Sequence, residues 1–251
     1  MSKSLQGKVA LVTGGSRGLG AATAQSLADA GADVAITYAS SADKAAEVVK
    51  ELEEKGVQAA AFQADQADVT LAPRLVDDVV ARFGGLDIVV NNAAIGVESG
   101  KTIDDPSIDT AELDRMHATN YTGVIALIRA AAKVLRDNGR IVNIGSGIGS
   151  RVGHPGFADY AATKAGLLGY TKGAARDLAR RGITVNMVQA GLMQTQMEPP
   201  SPEALKVMVS ALAIPRVSDP AETAPVIAFL ASPAASYITG AVIDSNGGYT
   251  A

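Results

Sequence analysis

Tyr160 and Lys164 stand four residues apart in YAATKAGLLGYTKGAARDLARR, a segment with helical character. Both side chains then lie on one helix face, which sets a phenol beside an ammonium. A phenol titrates near pH ~10 and is a poor base at neutrality. An ammonium ~4 Å away, at an effective dielectric of ~20, is worth ~4 kcal/mol. At ~1.4 kcal/mol per unit this draws the tyrosine down by up to ~3 pH units. A tyrosine tuned in this way donates a proton to a developing alkoxide or takes one from an alcohol. Ser146, at the end of the apolar run RIVNIGS, supplies a second hydrogen bond to that oxygen. The same spacing also arises on amphipathic helices where tyrosine is half-buried and lysine solvated, so the surroundings must decide.

The chain has 251 residues and can bury a large core. Its net charge of −4 suggests no nucleic-acid or anionic-membrane partner. No uninterrupted apolar run is long enough to span a bilayer, and MSKSLQGK lacks the apolar region of a signal peptide. With no cysteine there is no disulfide, thiolate nucleophile or Cys-ligated metal. His117 and His154 have no ligand-like spacing. The expectation is a cytoplasmic, metal-free protein.

KVALVTGG, DVAITY, VQAAAFQAD, LDIVVNNAA, RIVNIGS, ITVNMVQAG and GAVIDSNGG read as strands. Helices are expected at 18–31, 42–55, 72–83, about 113–135, 160–181 and 220–231. The polar run GVESGKTIDDPSIDTAEL reads as a surface loop, and Pro199, Pro200 and Pro202 break any long helix within 192–215. Strands this apolar, alternating with helices, predict a single doubly wound Rossmann domain over 1–251, a seven-stranded parallel sheet flanked by helices on both faces.

Thr13-Gly14-Gly15-Ser16-Arg17-Gly18-Leu19-Gly20 joins the first strand to the first helix, the setting a dinucleotide loop requires. Glycines let the backbone approach a pyrophosphate, whose charge the free N–H groups of the helix start favour. At the end of the second strand, where a carboxylate would hold a ribose 2′-hydroxyl, the chain has Tyr38-Ala39-Ser40-Ser41. No acid repels a 2′-phosphate there, Arg17 adds a cation, and Ser40 and Ser41 offer hydroxyls. NADP(H) is expected in preference to NAD(H).

Taken together these residues resemble the classical short-chain dehydrogenases/reductases over essentially the whole chain, most nearly the 3-oxoacyl-carrier-protein-reductase-like branch. The TGxxxGxG loop appears at 13–20, YxxxK at Tyr160 and Lys164, the serine at Ser146 and the asparagine at Asn120 in HATNYTG. The resemblance implies that Asp65 contacts the adenine amino group, with Gln66 beside it in the cofactor site. It also implies that Asn92 and Ala93 line the adenosine and that Thr195 holds the nicotinamide carboxamide. Lys164 would hold the nicotinamide ribose, and Asn120 would position a water relaying protons to Lys164. Two departures are Ala94, where the family has glycine, and Ala190, where it has proline.

The expected reaction is hydride transfer between nicotinamide and a ketone or secondary alcohol, with Tyr160 as general acid/base and Ser146 on the carbonyl oxygen. A small-molecule substrate would lie against a lid at 192–215, against 154–157 and against the loop after Ala94, with Met193, Met197 and Met208 as adaptable walls. The competing reading is a catalytically silent, nucleotide-sensing regulator of the same fold. Small residues at 130–132 and at Gly166, Gly169, Gly173, Ala174 and Ala175 permit close helix approach, in keeping with the family's homotetramers or a homodimer.

Overall fold

The structure, a computed structural model, describes residues 3–96, 101–194 and 201–251. The apolar runs form β1 (Val9–Val12), β2 (Asp33–Tyr38), β3 (Ala59–Gln63), β4 (Ile88–Asn91), β5 (Arg140–Ser146), β6 (Thr184–Ala190) and β7 (Val242–Ser245). They pair in parallel in the order β3-β2-β1-β4-β5-β6-β7. Between them run α1 (Gly18–Asp29), α2 (Ala42–Glu54), α3 (Leu71–Phe83), α4 (Thr110–His117), α5 (Gly123–Val134), α6 (Ala158–Leu178), α7 (Pro202–Ser210) and α8 (Pro220–Ala231).

Alternate residues of each strand face opposite sides of the sheet. Ala10 and Val12 pack with Leu27 of α1, Leu52 of α2 and Leu230 of α8. Val9 and Leu11 pack with Val76 of α3, Leu127 of α5 and Leu167 of α6. Both faces are therefore dry, which is why the strand sequences are apolar without alternation. Strand order reverses between β1 and β4, opening a crevice at their carboxyl ends. Asp87 braces the opposite end, where its buried carboxylate takes Lys8 Nζ at 3.1 Å, Arg136 Nη1 at 2.9 Å and the Val9 N–H at 3.0 Å.

The structure corrects three helices. The expected helix at 113–135 is α4 and α5 joined by a π-helical turn, Ala118–Thr122. Its start moves forward to Thr110 because the Asp109 carboxylate accepts from the Ala111 and Glu112 N–H groups. Pro202 begins a helix instead of breaking one. It occupies the first turn of α7, where its missing N–H costs nothing, and Ser201 caps the end by accepting from the Ala204 N–H. The helix carrying Tyr160 starts two residues earlier, at Ala158, and tightens into a 3-10 turn over Ala179–Arg181. Among the described residues, no helix is long and apolar enough to cross a membrane.

Candidate active site

The phosphate end is built by close backbone packing. Thr13 Oγ1 accepts from the N–H groups of Asn92 and Ala93 at 3.0 and 2.9 Å, and Asn92 Nδ2 donates to the Thr13 carbonyl at 2.9 Å. These bonds tie the glycine loop to the end of β4. A Cβ at Gly20 would stand 2.2 Å from the Gly14 carbonyl oxygen and 2.6 Å from Asn92 Nδ2. Gly18 has φ of +53° with open space where a side chain would begin, so the loop presents bare backbone to the crevice. Arg17 is exposed at the N-cap of α1, whose first turn carries no acid and no side-chain cap. Ser16 is half-buried beside it, and Leu19 is buried in the core. Uncapped N–H groups without a competing carboxylate fit a pyrophosphate.

At the adenosine end, Tyr38 is half-buried, and Ala39 and Ser40 are exposed. Ser41 stands at the N-cap of α2, where its hydroxyl makes no cap bond. Asp65 is half-exposed and bonded to Arg115 Nη2 of α4 at 3.0 Å. Gln66 turns inward and donates to the Ala93 and Thr119 carbonyls at 2.9 and 2.7 Å. Its side chain, like that of Asn92, braces the frame behind the crevice. Thr195 and Met197 lie outside the described residues.

At the chemical end, Ser146 closes β5, and a 3-10 turn, Gly147–Gly149, follows it directly. That turn presses on α6: a Cβ at Gly149 would stand 2.9 Å from Lys164 Cβ. Tyr160 and Lys164 share one face of α6, with Lys164 Nζ 5.6 Å from the centre of the Tyr160 ring. Nζ is buried and donates to the Ile144 carbonyl of β5 at 3.2 Å. The Ser146 hydroxyl accepts from the Ile148 N–H at 3.3 Å, and its influence reaches the phenol. Strand and helix thus bring these three groups together across thirteen intervening residues of chain between Ser146 and Tyr160.

The electrostatics differ from the expectation. Burial pushes the Tyr160 phenol above its ordinary value, and Ser146 pulls it only part of the way back. Burial also pushes Lys164 down to about 8. Tyr160 keeps an edge open to the crevice, yet its surroundings are dense enough with protein for desolvation to dominate. The lysine does not draw the phenol towards neutrality here; the phenol stays protonated, and the lysine, though lowered, is still mostly charged at pH 7.

Asn120 lies in the π-helical turn and is buried. Its carboxamide is committed to one peptide segment: Oδ1 accepts from the Ile95 N–H at 2.9 Å and Nδ2 donates to the Ile95 carbonyl at 2.8 Å. Ala94 needs no glycine, because Asn138 is the sole non-glycine residue with positive φ among those described. Ala190 is held on both sides, opposite Ser146 in β5 and Ser245 in β7. Met193 packs on the core, and Met208 is half-buried on α7, which has no buried residue.

Three contacts around the site carried no recognisable pattern in the sequence. His117 Nε2 lies 3.1 Å from the carboxylate of Asp159, next to Tyr160. The Tyr121 ring fills the space above Gly166 of α6. The chain's last residues fold back onto the turn after Ser146, with Tyr249 bonded to Arg151 and Gly153. For the last of these, the doublet Gly247-Gly248 before an aromatic was the one available signal.

A family profile described as enoyl-(acyl carrier protein) reductase matches residues 14–250. The 3-oxoacyl-(acyl-carrier-protein) reductase FabG of Staphylococcus aureus is 44% identical over 244 residues, covering 96% of this chain and 97% of that protein. A short chain dehydrogenase from Burkholderia cenocepacia J2315, solved in complex with NADP, superposes with a TM-score of 0.94 at 44% identity, over 99% of this chain and all of that one. A blue fluorescent protein from a metagenomic library, solved with NADPH, has a TM-score of 0.94 at 41% identity over 99% of this chain and 100% of that chain. Similarity of this extent, over a site of this geometry, makes the chain a member of the short-chain dehydrogenase/reductase family, an oxidoreductase acting between CH–OH and C=O groups.

Proposed function

We propose that the protein is an NADPH-dependent carbonyl reductase, and in reverse an alcohol dehydrogenase, working on a ketone or secondary alcohol. The observation that carries this reading is the meeting of Ser146, at the end of β5, with Tyr160 and Lys164 on one face of α6, Lys164 Nζ being buried on the Ile144 carbonyl of β5. A serine hydroxyl and a phenol in one site suit a carbonyl oxygen that gains charge in the transition state. NADP(H), when bound, supplies the hydride. Ser146 donates to the carbonyl oxygen, and Tyr160, kept protonated by its burial, delivers the proton to the nascent alkoxide. Lys164, fixed on the Ile144 carbonyl, is the cation within reach of the phenol as it loses that proton. Gly14, Ser16, Arg17, Gly18, Leu19 and Gly20 would hold the pyrophosphate.

NADP(H) is the cofactor supported by the lack of an acid at 38–41, by exposed Arg17 and by the Ser41 hydroxyl, which makes no cap bond. The NADP and NADPH named for the two solved relatives support the same choice. Asp65, Asn92 and Ala93 complete the adenosine side and Thr195 the nicotinamide side. The chain acts as a single catalytic domain over 1–251, with 192–215 as the substrate-side lid; the absence of buried residues in α7 supports this. The open faces at Gly169 and Gly173, where a Cβ would meet nothing, support assembly through α6 into a homodimer or homotetramer, which light scattering reads directly.

The test is NADPH oxidation with a panel of 3-oxoacyl thioesters, cyclic ketones and quinones, beside the matching 2-enoyl thioesters. Turnover of ketones is expected. Turnover of enoyl thioesters alone, or equal catalytic efficiency with NADH and NADPH, overturns the respective part of the proposal.

A further inference from the structure

We infer that Tyr249 is a positioning residue of the substrate side of the site, a latch by which the C-terminal segment sets the loop between Ser146 and Tyr160. This rests on the carbonyl-reductase reading and adds a residue to it. The loop has little regular structure after the 3-10 turn at Gly147–Gly149, and it runs between the two catalytic hydroxyls. Where it sits decides both how Ser146 is presented and how much room a substrate has beside residues 154–157.

Tyr249 holds that loop at separate points. Its hydroxyl accepts from the Gly153 N–H at 3.0 Å. Its carbonyl accepts from Arg151 Nη1 at 2.7 Å, and the Arg151 guanidinium lies 5.4 Å from the centre of its ring. The ring edge also occupies the space beside Gly147, the residue after Ser146, where a Cβ would stand 2.9 Å away. The latch is itself anchored. Buried Asn246 accepts from the Tyr249 N–H at 3.2 Å and donates to Thr250 Oγ1 at 2.9 Å. Its backbone also sits against Gly191, where a Cβ would meet Asn246 Cα at 2.5 Å. One short segment thus joins the exit of β6 to the exit of β5.

A tyrosine hydroxyl spent on a loop N–H, with its ring filling the place of a missing Cβ beside Ser146, restrains the stretch that follows that serine. Losing the hydroxyl should loosen the loop without disturbing the distant phosphate end. With the proposed substrate lying against residues 154–157 of that loop, the loss falls on substrate binding more than on the chemical step.

Tyr249→Phe removes the hydroxyl and keeps the ring; Arg151→Ala removes the partner from the loop side. Hydrogen exchange over 147–157, measured on the full chain saturated with NADPH, should rise ~3-fold or more in both variants. KM for bulky cyclic ketones should change ~5-fold, with kcat within ~2-fold and NADPH affinity unchanged. Unaltered exchange overturns the inference, as does raised exchange with KM unaltered for every ketone, or a lowered melting temperature with the kinetics of the folded fraction intact. Failure of the unsubstituted chain to reduce any ketone overturns the carbonyl-reductase reading, and the latch then stands or falls on the exchange difference alone.

Discussion

Asn120 holds Ile95 by both peptide groups, with its Oδ1 2.9 Å from the Ile95 nitrogen and its Nδ2 2.8 Å from the Ile95 oxygen. The carboxamide thereby substitutes for a missing strand neighbour where the chain leaves β4, and it fixes the segment that follows that strand. Only a side chain with one acceptor and one donor satisfies both groups. Asn120→Ala should cost about 1–3 kcal/mol through the unpaired peptide groups, read by chemical denaturation, and should lower kcat. Asn120→Asp should be worse than Ala in turnover, because its second carboxylate oxygen faces the Ile95 carbonyl.

Tyr160→Phe keeps the ring over Lys164 and removes the proton donor. Turnover should fall at least ~10³-fold, the scale of a lost general acid. NADPH affinity by fluorescence titration should stay within about twofold, since the hydroxyl adds little to ground-state binding. Activity surviving in this variant would assign the proton to another group.

Lys164 provides a pH test with a definite sign. Its folded value lies near 8 against an ordinary 10.5. Between those values the unfolded chain binds more protons, so stability rises with pH across that window. Lys164→Met, free of the buried charge, should exceed the wild type by about 1–3 kcal/mol at pH 7 in unfolding free energy, and the gap should close as pH climbs past 8. The same variant should lose turnover, which separates the stability cost of the lysine from its use.

Gly20→Ala tests the phosphate loop. The added methyl meets the Gly14 carbonyl oxygen at 2.2 Å, and backbone cannot swing away as a side chain can. Cofactor affinity should drop at least ~10-fold, a loss of ~1.4 kcal/mol or more, while secondary structure by circular dichroism is retained. Arg17→Ala should weaken NADPH more than NADH, measured as the ratio of their catalytic efficiencies.

Asp87→Asn acts at the far end of the sheet. It leaves Lys8 and Arg136, both partly solvated, facing a neutral group, so stability should fall by about 1 kcal/mol. kcat per folded molecule should be unchanged, because this cluster sits at the starts of β1 and β4, the ends remote from the crevice.

Strand positions were legible because both sheet faces are dry, and runs such as DVAITY and RIVNIGS have no other place to go. Tyr160 and Lys164 were legible as a pair because a helix fixes the relation of residues four apart. The phosphate loop was legible because glycines between a strand and a helix have few other uses. Helix interruptions were not. Nothing local in HATNYTG distinguishes a π-helical turn from an α-helix, since the turn is stabilised by Ile95 and by Gln66 on the Thr119 carbonyl, both distant in the chain. Pro202 reads as a breaker or a starter depending only on where the helix begins.

By itself the sequence determined which groups can do chemistry, the order of the layers and the side of the sheet on which the crevice opens. Those follow from short-range rules: strand alternation, helix periodicity and the handed connections between them. The tertiary structure decided the protonation of those groups. A lysine one turn from a tyrosine predicts a lowered phenol if both meet water, but packing of the Gly147–Gly149 turn on Lys164 and of Nζ on the Ile144 carbonyl removes that water. Desolvation depends on every neighbour at once, and neighbours such as the Ile144 carbonyl of β5 come from elsewhere in the sequence.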